Sequence, residues 1–166
     1  MQPVTVAVAD ADSARRTRYE HSVRDEHGVS MLTDVASSND AYFEPRRIKS
    51  RANISVTENE VARARRLMPR ILLVDLNLCE DINSRVLSTL HRECPDTYVV
   101  LIVDDDSAIS ENFIMQAIED GVRGYIGRQT SHQILSRVAE VVDRGEIWAS
   151  RKMLGKIMDR VLNSET

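Results

Sequence analysis

Residues 71–78 read ILLVDLNL, in which the unbroken apolar run 71–74 ends on an acid, Asp75. A strand exposed on one face alternates apolar and polar residues, whereas a continuous run marks a strand covered on both faces, as in a parallel sheet. Two further stretches repeat the pattern. Val4–Ala9 (VTVAVA) runs into Asp10, Ala11 and Asp12, and Tyr98–Val103 (YVVLIV) runs into Asp104, Asp105 and Asp106. Working outward, the strand is expected over 70–78, and each of the three is followed by a segment of helical character.

Ser13 is positioned to cap an arginine-rich helix over 14–23. Residues 29–36 (VSMLTDVA) form a weaker strand, interrupted by Thr33 and Asp34. Thr57-Glu58-Asn59-Glu60 has the form of a capping box opening a short helix to Leu67, which Pro69 closes. A helix over 82–94 stops at Pro95, and one over 110–120 stops at Gly121. A short strand at 124–126, a helix over 131–144 and a last helix from about Ser150 towards Leu162 complete the chain. Strand and helix alternate five times, which predicts a doubly wound α/β fold: a parallel sheet with right-handed crossovers and helices on both faces, plus an extra C-terminal helix.

Size and composition agree. The chain has 166 residues, 42% hydrophobic and 29% charged, enough for one domain with a sizeable core. A net charge of −4 argues against a nucleic-acid surface on this chain itself. Cys79 and Cys94 are isolated, the four histidines are scattered, and neither set has the spacing of a metal site or disulfide framework. Two reduced cysteines in a cytoplasmic protein is the reading that follows. No segment is apolar enough to span a membrane, and the acidic start does not suit a secretory signal.

In an open parallel sheet, ligands bind outside the carboxyl ends of the strands. Here those ends deliver Asp10, Asp12, Asp75 and Asp104–Asp106. Clustered carboxylates need a divalent cation, a basic neighbour or water between them. Mg²⁺ suits oxygen ligands, and a carboxylate beside it can attack phosphorus. No G-x-G-x-x-G or P-loop follows any strand, which weakens a nucleotide-binding reading.

In this order and spacing the motifs resemble the receiver domains of two-component response regulators, in their LuxR/FixJ (NarL-like) subfamily. The segment ILLVDLNL resembles the one that carries the phosphoacceptor, which the resemblance places on Asp75, with Asn77 at a position whose carbonyl ligates Mg²⁺. Residues 121–131 (GVRGYIGRQTS) resemble the subfamily signature G-A-x-G-Y-L-L-K-x-x-S, and residues 138–153 (VAEVVDRGEIWASRKM) resemble its last receiver helix and following segment. The resemblance implies a flavodoxin-like sheet of order 2-1-3-4-5, with the receiver at 1–146 and residues 147–166 leading towards a helix-turn-helix DNA-binding domain outside this chain. Residues 37–57, with Arg46, Arg47, Lys49 and Arg51, fall outside the resemblance and are read as an insertion loop. Docking of its arginines on the acids is an open alternative to a solvated loop.

The departures from the family pattern are chemical. The second of two adjacent acids is Ala11, leaving Asp10 and Asp75 as metal carboxylates, with Asp12 as substitute if the loop is rearranged. The Thr/Ser position that contacts the phosphoryl group is Val103, with Ser107 as stand-in only if the loop folds back. The signature lysine is Arg128, while Tyr125 keeps the aromatic switch position. Any Mg²⁺ is therefore expected to bind weakly, and Arg128 is in place to pair with Asp75 directly. The expected function is an atypical receiver, poorly or not phosphorylated and not an enzyme in its own right, acting as a homodimer on an attached DNA-binding domain. Phe113, Ile114, Ile134 and Val138 are candidates for the dimer face. The alternative is a conventional Mg²⁺-dependent aspartyl phosphoacceptor served by a sensor histidine kinase.

Overall fold

The structure, a computed structural model, describes residues 2–34, 52–79, 85–104, 111–129 and 131–164. Within them the elements run β1 (Val4–Ala9), α1 (Ser13–Val23), β2 (Val29–Met31), α2 (Ala52–Leu67), β3 (Ile71–Asp75), α3 (Val86–Glu93), β4 (Tyr98–Val103), α4 (Glu111–Glu119), β5 (Tyr125–Gly127), α5 (Ser131–Asp143) and α6 (Arg151–Ser164). The strands form one five-stranded sheet in the order β2-β1-β3-β4-β5, every pairing parallel. This is the expected doubly wound α/β sheet in the expected order.

The continuous apolar strands are central because both faces are covered. Every residue of β3 is buried, from Ile71 to Asp75. On one face Leu72, Val74, Val99 and Leu101 meet Val61 and Ala64 of α2, Val86 and Leu90 of α3, and Ala117 of α4. On the other, Val6, Leu73, Val100 and Ile102 meet Val23 of α1 and Leu135, Val138 and Val142 of α5. Each of the Val, Leu and Ile side chains contributes roughly 1.5–3 kcal/mol when fully buried.

The C-terminal segment is packed onto this body. Trp148 bridges to Gly124 alongside β5, and Met153 of α6 lies with Ile114, Met115 and Ile118 of α4. Gly124 explains itself here. Its φ is +150°, and a Cβ would stand 2.3 Å from the Trp148 carbonyl oxygen, so no side chain fits.

Several boundaries differ from the sequence reading. α2 begins at Ala52, so Thr57–Glu60 lies inside the helix: the preceding turn already supplies carbonyls, and no free helix end exists there to cap. The helix does close before Pro69, through Met68 at φ +49°. β3 ends at Asp75, because the carboxylate Oδ1 accepts the Asn77 N–H at 3.0 Å and residues Leu76–Cys79 turn into a 3-10 helix. β2 is described as a strand only to Met31, and α3 starts at Val86 instead of 82. β5 is one residue later than expected, since Gly124 makes its bridge to Trp148. Most of the expected insertion lies outside the described residues, as do Arg46, Arg47, Arg51, Asp105, Asp106 and Ser107.

Candidate functional site

The register of the sheet brings the strand-end acids together. Ala9 pairs with Val74, so Asp10 and Asp75 leave adjacent strands side by side. Val103 pairs with Gly127, which sets Asp104 next to Arg128, and the Arg128 N–H donates to the Val103 carbonyl at 2.8 Å. Asp75 is fully buried and Asp10 is 3% exposed. Two carboxylates so placed cannot keep their charge without partners.

Both partners are arginines. Arg128 forms a close ion pair with Asp75 Oδ2 through Nη1, and its Nε donates to Asp104 Oδ1 at 2.8 Å. Its pKa is pushed further up, chiefly by the hydrogen bond to Asp75, so it is a permanent cation here. Arg15 grips Asp10 in a fork, Nε to Oδ2 at 2.7 Å and Nη2 to Oδ1 at 2.5 Å. The same Nη2 lies 3.8 Å from Asp75 Oδ1, the oxygen not taken by Arg128. A planar five-donor group suits this shared, bidentate work.

Asp12 does something else. Its carboxylate caps α1, accepting from the backbone N–H groups of Ala14 at 3.0 Å and Arg15 at 3.1 Å. These bonds hold its pKa below the ordinary carboxylate value. Ser13, expected as the cap, is the first residue of the helix instead: the longer Asp12 side chain reaches the free N–H groups from one position earlier. The Asp12 N–H donates to Asp10 Oδ1 at 2.8 Å, tying the cap to the pocket.

Val103, at the hydroxyl position, is buried in the core on the α2–α3 face and brings no polar group to the edge. Cys79, next to the site, has its thiol pushed up to about 12 by burial and by Asp75, so it stays protonated and unreactive. Tyr125 is half-buried, with its hydroxyl 3.3 Å from Ser150 Oγ at the start of α6. Of the candidate dimer-face residues, Ile114 and Val138 are buried within the chain, one under α6 and one under the sheet, where the apolar stripe of each helix packs. Phe113 and Ile134 are only partly buried. Among the described residues the exposed large hydrophobics are Met68, alone just after α2, and a row on α6, namely Leu154, Met158, Val161 and Leu162.

A second ionic cluster adjoins the first, and the sequence reading missed it. Arg63 of α2 donates to Glu20 Oε2 at 2.9 Å and to the Val8 carbonyl at 2.6 Å, and its Nε lies 2.9 Å from Asp34. Arg16 pairs closely with Glu60, whose other oxygen faces the Asp10 N–H at 3.4 Å. Burial pushes the pKa of Glu20 and Glu60 up against the pull of the arginines. One signal in the sequence pointed this way. Arg15 and Arg16 occupy the first turn of a helix, where the dipole disfavours cations, so acids had to lie nearby.

Asp10 and Asp75 do not fit Mg²⁺ in this arrangement. It requires ligands at roughly 2.0–2.1 Å in near-octahedral array, and both Asp10 oxygens are already held by Arg15. Among the described residues, no group of three His, Cys, Asp or Glu side chains is arranged to hold a metal ion. Among them also, no helix is long and apolar enough to cross a membrane.

No family model matches the chain, and no curated protein matches it. Solved structures do. The chain is similar to the isolated REC domain of RcsB from Salmonella enterica serovar Typhimurium in the apo form, at TM-score 0.62 and 12% identity over 94% of this chain and 98% of that one. It is similar to a LuxR-family two-component response regulator from Aurantimonas sp. SI85-9A1, at TM-score 0.62 and 14% identity over 97% and 99%. A Salmonella typhimurium RcsB response regulator described for DNA interaction matches at TM-score 0.60 and 10% identity, over 97% of this chain and 68% of that one. At these identities the likeness establishes the fold, which is that of a response-regulator receiver domain.

Proposed function

We propose that the chain is the signal-input domain of a two-component-type transcriptional regulator, an atypical one whose pocket is closed to phosphorylation by its own arginines. The observation that carries this reading is the state of Asp75. The residue at the phosphoacceptor position has no exposed surface, and its two oxygens are engaged by Arg128 on one side and by the Asn77 N–H with Arg15 nearby on the other. An in-line attack on phosphorus needs a free carboxylate oxygen and a cation to share the developing charge. Here a nucleophilic oxygen would first have to break a desolvated ion pair. The absence of a hydroxyl at Val103 removes a further phosphoryl contact.

In this reading the output is an interface and not a turnover. The chain acts in the cytoplasm as a homodimer that governs an attached helix-turn-helix domain, and a sensor histidine kinase is not needed for the active state. The apolar residues that form a row on the surface for self-association are those of α6, Leu154, Met158, Val161 and Leu162, at helical spacing, whereas Met68 stands alone. Light scattering across a wide concentration range should show a dimer, and Met158→Glu should shift the population to monomer.

Intact-mass spectrometry after incubation with a small phosphodonor and Mg²⁺ tests the site. The wild-type chain is expected to show no adduct. An adduct that requires Mg²⁺ and disappears in Asp75→Ala would replace this reading with the conventional phosphoacceptor.

A further inference from the structure

We infer that Arg15 is the resident cation of the strand-end pocket, occupying the place between Asp10 and Asp75 that a divalent ion would need. This rests on reading the strand-end edge as a receiver-type pocket, and it deepens that reading by naming what closes the site. Three observations carry it. The Arg15 fork engages both oxygens of Asp10, at 2.7 and 2.5 Å, so neither is left to ligate a metal. Its Nη2 also lies 3.8 Å from Asp75 Oδ1 and therefore bridges the two acids. And Arg15 is anchored at its root, since its own N–H donates to the Asp12 cap while the Asp12 N–H donates to Asp10. Guanidinium, cap and carboxylate thus form one closed loop of hydrogen bonds.

The other nearby arginines do not share this role. Arg16 and Arg63 are engaged with Glu60, Glu20 and Asp34 on the α2 side of β1, and Arg128 lies on the opposite oxygen of Asp75. The side chain of Arg15 is 28% exposed, so shortening it opens the pocket to water without a cavity in the core. The acids left behind have the charge and proximity that recruit a hard divalent cation. Arg15 is in this sense a built-in competitor for metal.

The test is Mn²⁺ binding to the full chain, counted as loss of the free-ion electron paramagnetic resonance signal. Wild type, Arg15→Ala, Arg15→Gln and the double variant Arg15→Ala with Asp10→Asn are compared, each checked for folding by circular dichroism. Wild type should show no saturable site in the millimolar range. Arg15→Ala, or Arg15→Gln should the alanine variant misfold, should gain one site, tighter by about tenfold or more, and Asp10→Asn should abolish it. Wild type that binds Mn²⁺ as tightly as the folded Arg15 variant overturns the inference. So does a folded Arg15 variant with no gain, or a gained site that survives Asp10→Asn. An Mg²⁺-dependent phosphoryl adduct on the wild type would instead overturn the proposed function, so the two failures are told apart.

Discussion

The pocket at the strand ends and the cluster between α1 and α2 use the same residue types, yet their surroundings differ. In the pocket, the side chains of Arg15 and Arg128 are 28% and 23% exposed over buried acids. On the other side of β1, Arg63 is 6% exposed, and its partners Glu20 and Glu60 are 9% and 7% exposed. Asp10 joins the two, giving its carboxylate to Arg15 and turning its N–H towards Glu60. A sealed cluster must stay intact, because any member left alone is an uncompensated buried charge. A pocket with half-open arginines can admit water when a partner is lost, and so it can be altered while the fold survives. The difference teaches which charges serve the architecture and which are placed to respond.

The sharpest way to break this comparison is to truncate one arginine from each region. Arg63→Ala leaves Glu20 with only the longer Arg16 contact at 3.8 Å and takes the Arg63 donor from the Val8 carbonyl, and it should lower the unfolding free energy by about 3–5 kcal/mol in urea titration. Arg128→Ala leaves Asp75 with its Asn77 N–H bond and access to water, and about 1–3 kcal/mol is expected from the same titration. Equal losses, or a reversed order, would erase the distinction drawn between sealed and open clusters.

A gentler probe uses pH. Burial raises the folded-state pKa of Glu60 above its ordinary 4.5, against the pull of Arg16 and Arg63. The folded chain then holds that proton more tightly than the unfolded one. Its contribution to stability is fully present below pH 4.5 and is lost as pH rises through the higher folded value. Glu60→Gln should flatten the fall in stability over that window, and denaturation midpoints at closely spaced pH values would show it. An unchanged slope would mean that Glu60 is better solvated than its surroundings indicate.

Much of the fold was legible because burial writes itself into composition. β1 and β4 have the bounds read from VTVAVA and YVVLIV, since the stretch of a strand covered on both faces is apolar until it ends on an acid. The helices were found by apolar periodicity, caps and breakers, and α5 starts at Ser131 as read, but the start of α2 was missed. α2 opens at Ala52 with no recognisable cap, while the box at Thr57 was a local signal without a free end to satisfy. For the site, Asp10, Asp75 and Arg128 were legible from strand ends and motif order. Arg15, Arg16, Glu20, Glu60 and Arg63 were not, because contacts that give them a role reach far along the chain, as from Arg63 to Val8 across 55 residues. The exposed row on α6 was equally hidden: Met153 and Met158 look alike in sequence, and only packing against α4 distinguishes the buried one.

The sequence by itself determined the alternation of strand and helix, the parallel sheet, and the edge at which the acids gather. These follow from short-range pattern, since solvent exposure along a strand or helix repeats every two or every 3.6 residues. Apart from Arg128 facing Asp75, which the motif order already suggested, which cation meets which acid was decided only by tertiary structure. An arginine side chain reaches several ångströms in many rotamers, so its partner is chosen by the register of neighbouring strands and the placement of α1 and α2. In this chain that register sets Arg15 across Asp10 and Asp75 and leaves Arg63 sealed beside Glu20.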